Sequence, residues 1–112
     1  MLNTGTNGWL SIINGFTGSG LYCKIGNLVL IAFTAICPGG QTVFANVPEL
    51  IKPQNEQFNN VWVQLFNAPT GYGQLCGNIT IKQNGDLILR DWNGSILTAK
   101  TTCRGSLVYR LN

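Results

Sequence analysis

The segment from Leu28 to Cys37 constrains the chain most: ten residues in a row carry a single polar side chain, Thr34. A strand of an antiparallel sheet with one wet face alternates apolar and polar residues, whereas this one is apolar on both sides. Either both faces are covered within the domain, or one is covered by another copy of the chain. The second solution is expected here, because a domain of 112 residues buries only about two thirds of its unfolded surface. Symmetric self-association is the usual way to shelter such a strand. Leu28, Leu30 and Phe33 are the expected interface residues.

The segment is too short to be a membrane span, which needs about 18 consecutive apolar residues, so no membrane insertion is expected. Residues before it are strand-like as well. Leu21–Ile25 is separated from Leu28 by Gly26-Asn27, a pair that tolerates the positive φ of a two-residue hairpin. In that register Cys23 faces Leu30.

A second hairpin is signalled by Asn84-Gly85 between Gly77–Gln83 and Asp86–Trp92. A two-residue loop would mix apolar and polar residues on each face. A three-residue loop of Asn84, Gly85 and Asp86, with Gly85 or Asp86 left-handed, puts Ile79, Ile81, Leu87 and Leu89 on one face. Asn93-Gly94 then turns the chain into Ser95–Thr101, and Ser106–Leu111 reads as a closing strand.

Between the hairpins lie a strand at Thr42–Val47, an irregular crossing at Pro48–Pro53, and a strand at Val61–Phe66. Two prolines five residues apart exclude a helix there. The expected fold is therefore all-β, an antiparallel barrel or jelly-roll-like sandwich of eight or nine short strands. Residues 1–8, rich in turn formers, read as a linker or neck remnant, and residues 9–112 as one head domain. Met1 ahead of Leu2-Asn3-Thr4-Gly5 reads as the start of an excised fragment.

Charge excludes several functions. Charged residues make up 10% of the chain, against roughly 25% in an ordinary soluble domain. The net charge of +3 comes from scattered Lys and Arg, without the clustered basic face that nucleic acid requires. Histidine is absent and the carboxylates are Glu49, Glu56, Asp86 and Asp91, so acid–base catalysis has almost no candidates and no enzyme is expected. Asp86 and Asp91 read better as turn and surface residues than as a glycosidase pair.

Cys23, Cys37, Cys76 and Cys103 show no C-x-x-C spacing, so neither metal nor cofactor is expected. They read as small buried thiols more readily than as disulfides.

Saccharide recognition combines an aromatic face with amide, carboxylate or guanidinium groups. Trp92 with Asp91, Asn93 and Arg90 is the densest such cluster. Trp62, Tyr72 and Arg104 are further candidates.

Three segments in order, Tyr22-Cys-Lys-Ile-Gly-Asn-Leu-Val29, Asn46-Val-Pro-Glu-Leu-Ile-Lys-Pro53 and Gly77-Asn-Ile-Thr-Ile-Lys-Gln-Asn-Gly-Asp-Leu-Ile88, resemble the C-terminal receptor-binding heads of bacteriophage tail-tip and baseplate proteins. Trp9 followed by Asn14-Gly15 is similar to the entry from the fibre neck. The chain departs from the pattern at Cys23, where Arg or Lys is usual, and at Glu49–Lys52, which is less rich in glycine. The resemblance implies a homotrimeric head on an upstream fibre or baseplate protein, made in the bacterial cytoplasm and carried on the virion. Its ligand would be a host cell-wall or surface polysaccharide. A domain that caps a fibre without touching the host is the alternative.

Overall fold

A computed structural model describes residues 5–40, 42–64, 74–90 and 101–111, with backbone alone for 59–64, 74–77 and 101. Nine strands are present among them: β1 (Thr6–Trp9), β2 (Ser11–Ile12), β3 (Thr17–Ile25), β4 (Leu28–Cys37), β5 (Val43–Asn46), β6 (Gln57–Gln64), β7 (Gln74–Ile81), β8 (Asp86–Arg90) and β9 (Thr101–Arg110). They form two antiparallel sheets, ordered β1-β3-β4-β9 and β2-β5-β8-β7-β6. The all-β expectation holds as a sandwich. The sheets do not close into a barrel.

The Gly26-Asn27 hairpin forms as its residues dictate. Ile25 pairs with Leu28 and Cys23 with Leu30, and Gly26 takes a φ of +58°. From there β4 alternates strictly, with Val29, Ile31, Phe33, Ala35 and Cys37 buried while Leu28, Leu30, Ala32 and Thr34 are exposed. Phe33 therefore does not belong with Leu28 and Leu30 at an interface. It is 5% exposed and lies in the core, 4.7 Å from the Phe44 ring centroid, because period-two geometry sends odd and even residues to opposite sides.

In the second hairpin Ile79 pairs with Leu89 and Ile81 with Leu87, so these four share the inner face. The loop lies one residue earlier than the sequence indicates. Lys82 N–H donates to the Asp86 carbonyl at 3.0 Å, leaving Gln83, Asn84 and Gly85 as the turn. Gly85 is the left-handed residue at φ +94°, and its carbonyl accepts from Val47 N–H at 2.9 Å. A side chain at Gly85 would also crowd the Val47 carbonyl, so the position needs glycine on two counts.

Several boundaries move. Pairing begins at Thr6 opposite Lys24, ahead of the expected start near Trp9. β6 starts at Gln57 and β9 at Thr101, whereas the sequence places those strands at Val61 and Ser106. The expected turn at Asn93-Gly94 and most of the strand at Ser95–Thr101 lie outside the described residues.

The core sits between the sheets. Phe44 is its centre, packed on Phe33 and, at 6.0 Å, on Phe16. A register shift in β5 lets two consecutive residues, Phe44 and Ala45, both turn inward. The crossing after β5 forms a single 3₁₀ turn, Glu49–Ile51, which drops Ile51 into the core.

Tyr109 on β9 ties this crossing down, its buried hydroxyl donating to the Ile51 carbonyl at 2.7 Å. Burial also pushes its phenol pKa upward. Replacing Tyr109 with Phe should cost roughly 1–3 kcal/mol, since it removes the donor from a buried carbonyl. The check is a lower urea midpoint at unchanged slope.

Both flanks of the sandwich are stitched. On one, the Gln57 amide donates to the Arg110 carbonyl and accepts from Arg110 N–H, so a side chain does the work of a ladder between β6 and β9. On the other, the chain crosses from one sheet to the other at buried Leu10, with Leu10 N–H donating to the Gly20 carbonyl at 2.8 Å and Ile13 N–H to that of Phe44 at 3.0 Å.

Candidate binding surfaces

The outer face of the four-stranded sheet follows directly from the strand registers. Trp9 lies beside Leu21, which lies beside Ala32; Cys23, Leu30 and Val108 form the next row; Ile25 and Leu28 the row beyond. Trp9, Leu21, Ile25, Leu28, Leu30 and Val108 are all exposed, Trp9 at 68% and Val108 at 52%. Thus the half of β4 that does not enter the core joins β3 in an apolar band, with Trp9 and Val108 beside it and exposed Asn7, Ser106 and Arg110 in the same rows on the outer strands.

Within that face is a shallow concavity of about 470 Å³, lined by Asn7, Leu21, Tyr22, Cys23, Leu30 and Ala32. The polar end of the sheet lies towards Thr34, which pairs with exposed Arg104.

A second concavity, about 350 Å³, lies at the tip of the β7–β8 hairpin and is lined by Glu56, Lys82, Gln83 and Asn84. The hairpin tip is held rigidly. Gly85 N–H donates to the Lys82 carbonyl at 2.9 Å, Asp86 N–H donates to Asn84 Oδ1 at 3.0 Å, and the Gln83 amide donates to the Gln54 carbonyl. Asp86 itself accepts from Asn46 Nδ2 at 2.8 Å and from Asn84 Nδ2 at 3.2 Å, as a turn residue does. No sequence signal marked this site, because Lys82 and Gln83 read only as the end of a strand and Asn84 as a turn residue.

Of the expected saccharide residues, Arg90 and Arg104 are described with their side chains. Arg90 ends β8, half-buried and opposite Asn78 in the five-stranded sheet, whereas Arg104 lies on β9 in the other sheet. The structure does not bring these two together. The backbone of Trp62 is on β6, opposite Cys76. Asp91, Trp92, Asn93 and Tyr72 lie outside the described residues, as do the side chains of Trp62 and Cys76.

Cys23, Cys37 and Cys103 are thiols. Among the described residues, no three Cys, Asp or Glu side chains gather where they could hold a metal ion. Cys103 is fully buried on the inner face, and its pKa is pushed up to about 12 from an ordinary 9.0, first by burial and then by the neighbouring Cys37. The fold thus favours the neutral thiol. Its contribution to stability is whole below about pH 9 and drains away as pH rises from there towards 12. Unfolding midpoints measured from pH 7 to 11 should fall less steeply in the Cys103→Ala variant than in the parent; parallel curves would contradict this.

The sequence matches no protein family and resembles no characterised protein closely enough to indicate kinship.

Proposed function

We propose that the chain is a self-associating head domain of the kind found on phage tail fibres and baseplates, which binds saccharide on the host cell surface. The apolar outer face of the four-stranded sheet carries this reading. Its exposed side chains amount to an area on the order of 600 Å², at the upper end of what a soluble monomer leaves uncovered. An ordinary interface takes about 800 Å² from each partner, so a second copy of the chain is an occupant of the right size and chemistry. Exposed Arg104 and Thr34 at one end supply the polar margin of such an interface.

The resemblance of the hairpin segments to receptor-binding heads supports three copies. Three identical heads on one fibre would multiply weak single contacts with a surface polysaccharide. No catalytic group is needed for this function, and none is assigned.

Light scattering of the purified chain and a glycan array of bacterial cell-wall saccharides test the two parts separately. A trimer mass with saccharide binding is the expected result. A monomer at micromolar concentration would overturn the reading. A trimer that binds no saccharide would leave the capping role, which the same apolar face favours because it needs no ligand.

A further inference from the structure

We infer that the concavity formed by Glu56, Lys82, Gln83 and Asn84, together with Phe58, is the saccharide site, and that it takes an uncharged hexose segment. The inference rests on the reading above that the domain binds host saccharide.

Phe58 lies on β6 opposite Thr80 and is 70% exposed. Glu56 precedes it by two residues and Lys82 follows Thr80 by two, one step beyond the last ladder pair, Gln57 with Ile81; these two line the hollow together, and carrying the strand alternation one residue further sets them on the side of Phe58, about 6–7 Å along the strands. An aromatic face thus borders a polar hollow. That combination suits a pyranose, whose C–H face packs on a ring while its hydroxyls meet polar groups.

The polar groups also have capacity to spare. Among the described residues the one ion pair is Lys52 with Glu49 at 3.1 Å, so the Glu56 carboxylate and the Lys82 ammonium are left to accept from and donate to hydroxyls. Their charges cancel, which argues against a polyanionic ligand. The Gln83 amide spends one N–H on the Gln54 carbonyl, which fixes its orientation and leaves Oε1 to accept. Asn84 is committed through both side-chain atoms to Asp86 and serves as a rigid wall. A hollow preorganised in this way loses little on binding. Its volume lies at the small end of ligand sites, which fits one or two sugar rings held weakly.

The test uses the full chain against immobilised neutral hexose oligosaccharides and, in a second arm, phosphate-bearing cell-wall glycans. Phe58→Ala should weaken binding to the neutral arm about tenfold. Glu56→Gln and Lys82→Met should each weaken it about fivefold. Leu50→Ala, at another exposed apolar position, should leave it unchanged. Each variant is accepted only with the parent's circular dichroism and solution mass.

If the parent binds and the three variants bind equally well, the site is wrong while the saccharide-binding reading stands. Binding confined to the phosphate-bearing arm overturns the ligand class. A parent that binds neither arm removes the reading itself, and the site with it.

Discussion

Replacing Phe44 with alanine will cost about 3–5 kcal/mol of folding stability. The residue has no exposed surface and is held between Phe33 and Phe16, so truncation removes ring contacts from both as well as its own burial. Deleting a buried phenyl group loses its transfer free energy and leaves a cavity that close-packed neighbours fill only in part. A domain of ordinary stability has about 5–15 kcal/mol in total, so this one change takes a large share. Collapse of Phe16 into the space is hindered because Phe16 N–H is fixed to the Ile13 carbonyl at 3.2 Å. Urea denaturation followed by circular dichroism gives the loss directly, and a drop under 1.5 kcal/mol would show that Phe44 is not the centre of the core.

The largest effect on assembly is expected from Leu30→Glu combined with Val108→Lys. These positions face each other on β4 and β9, so the new charges pair across the strands and the isolated domain keeps its stability. On association, however, the same pair would be taken out of water, and desolvation offsets most of the attraction between its members. Association should weaken at least a hundredfold, and light scattering should give the monomer mass at a concentration where the parent is oligomeric. An unchanged mass would place the contact elsewhere on the molecule.

Much of the fold could be read from local rules. Gly26-Asn27 fixed its hairpin to the residue, because turn chemistry and the runs on either side agree. At Asn84-Gly85 the alternation of Ile79, Ile81, Leu87 and Leu89 determined the face. The loop length that it demanded was right, but its position was set by a backbone hydrogen bond between Lys82 and Asp86 that no residue type announces.

β4 hid its own register for the opposite reason. With apolar residues on both sides, alternation carries no contrast, and only the placement of the second sheet decides that Phe33 goes inward and Leu30 outward. The early starts of β1 and β6 were missed because Asn7-Gly8 and Asn59-Asn60 are poor strand formers, held by neighbouring strands and by the Gln57 amide.

The candidate sites were the least legible part. Arg90 and Arg104 are alike in chemistry, yet they fall on different sheets, a relation that depends on the full strand order. The hollow beside Phe58 is assembled from a turn and the start of a strand separated by more than twenty residues. Each piece has a sufficient local explanation, which conceals what they make together.

The crossing at Leu10 gives the first few strand residues an importance out of proportion to their length. β1 is the outermost strand of one layer and β2 the outermost strand of the other, so this short ribbon hems two borders at once. Were it peeled away, β3 and β5 would both present bare backbone to any passing chain, and the same ribbon donated to a neighbouring molecule would fasten two domains together. Tags and deletions at this end are therefore best kept clear of Thr6–Ile12, which works as a clasp.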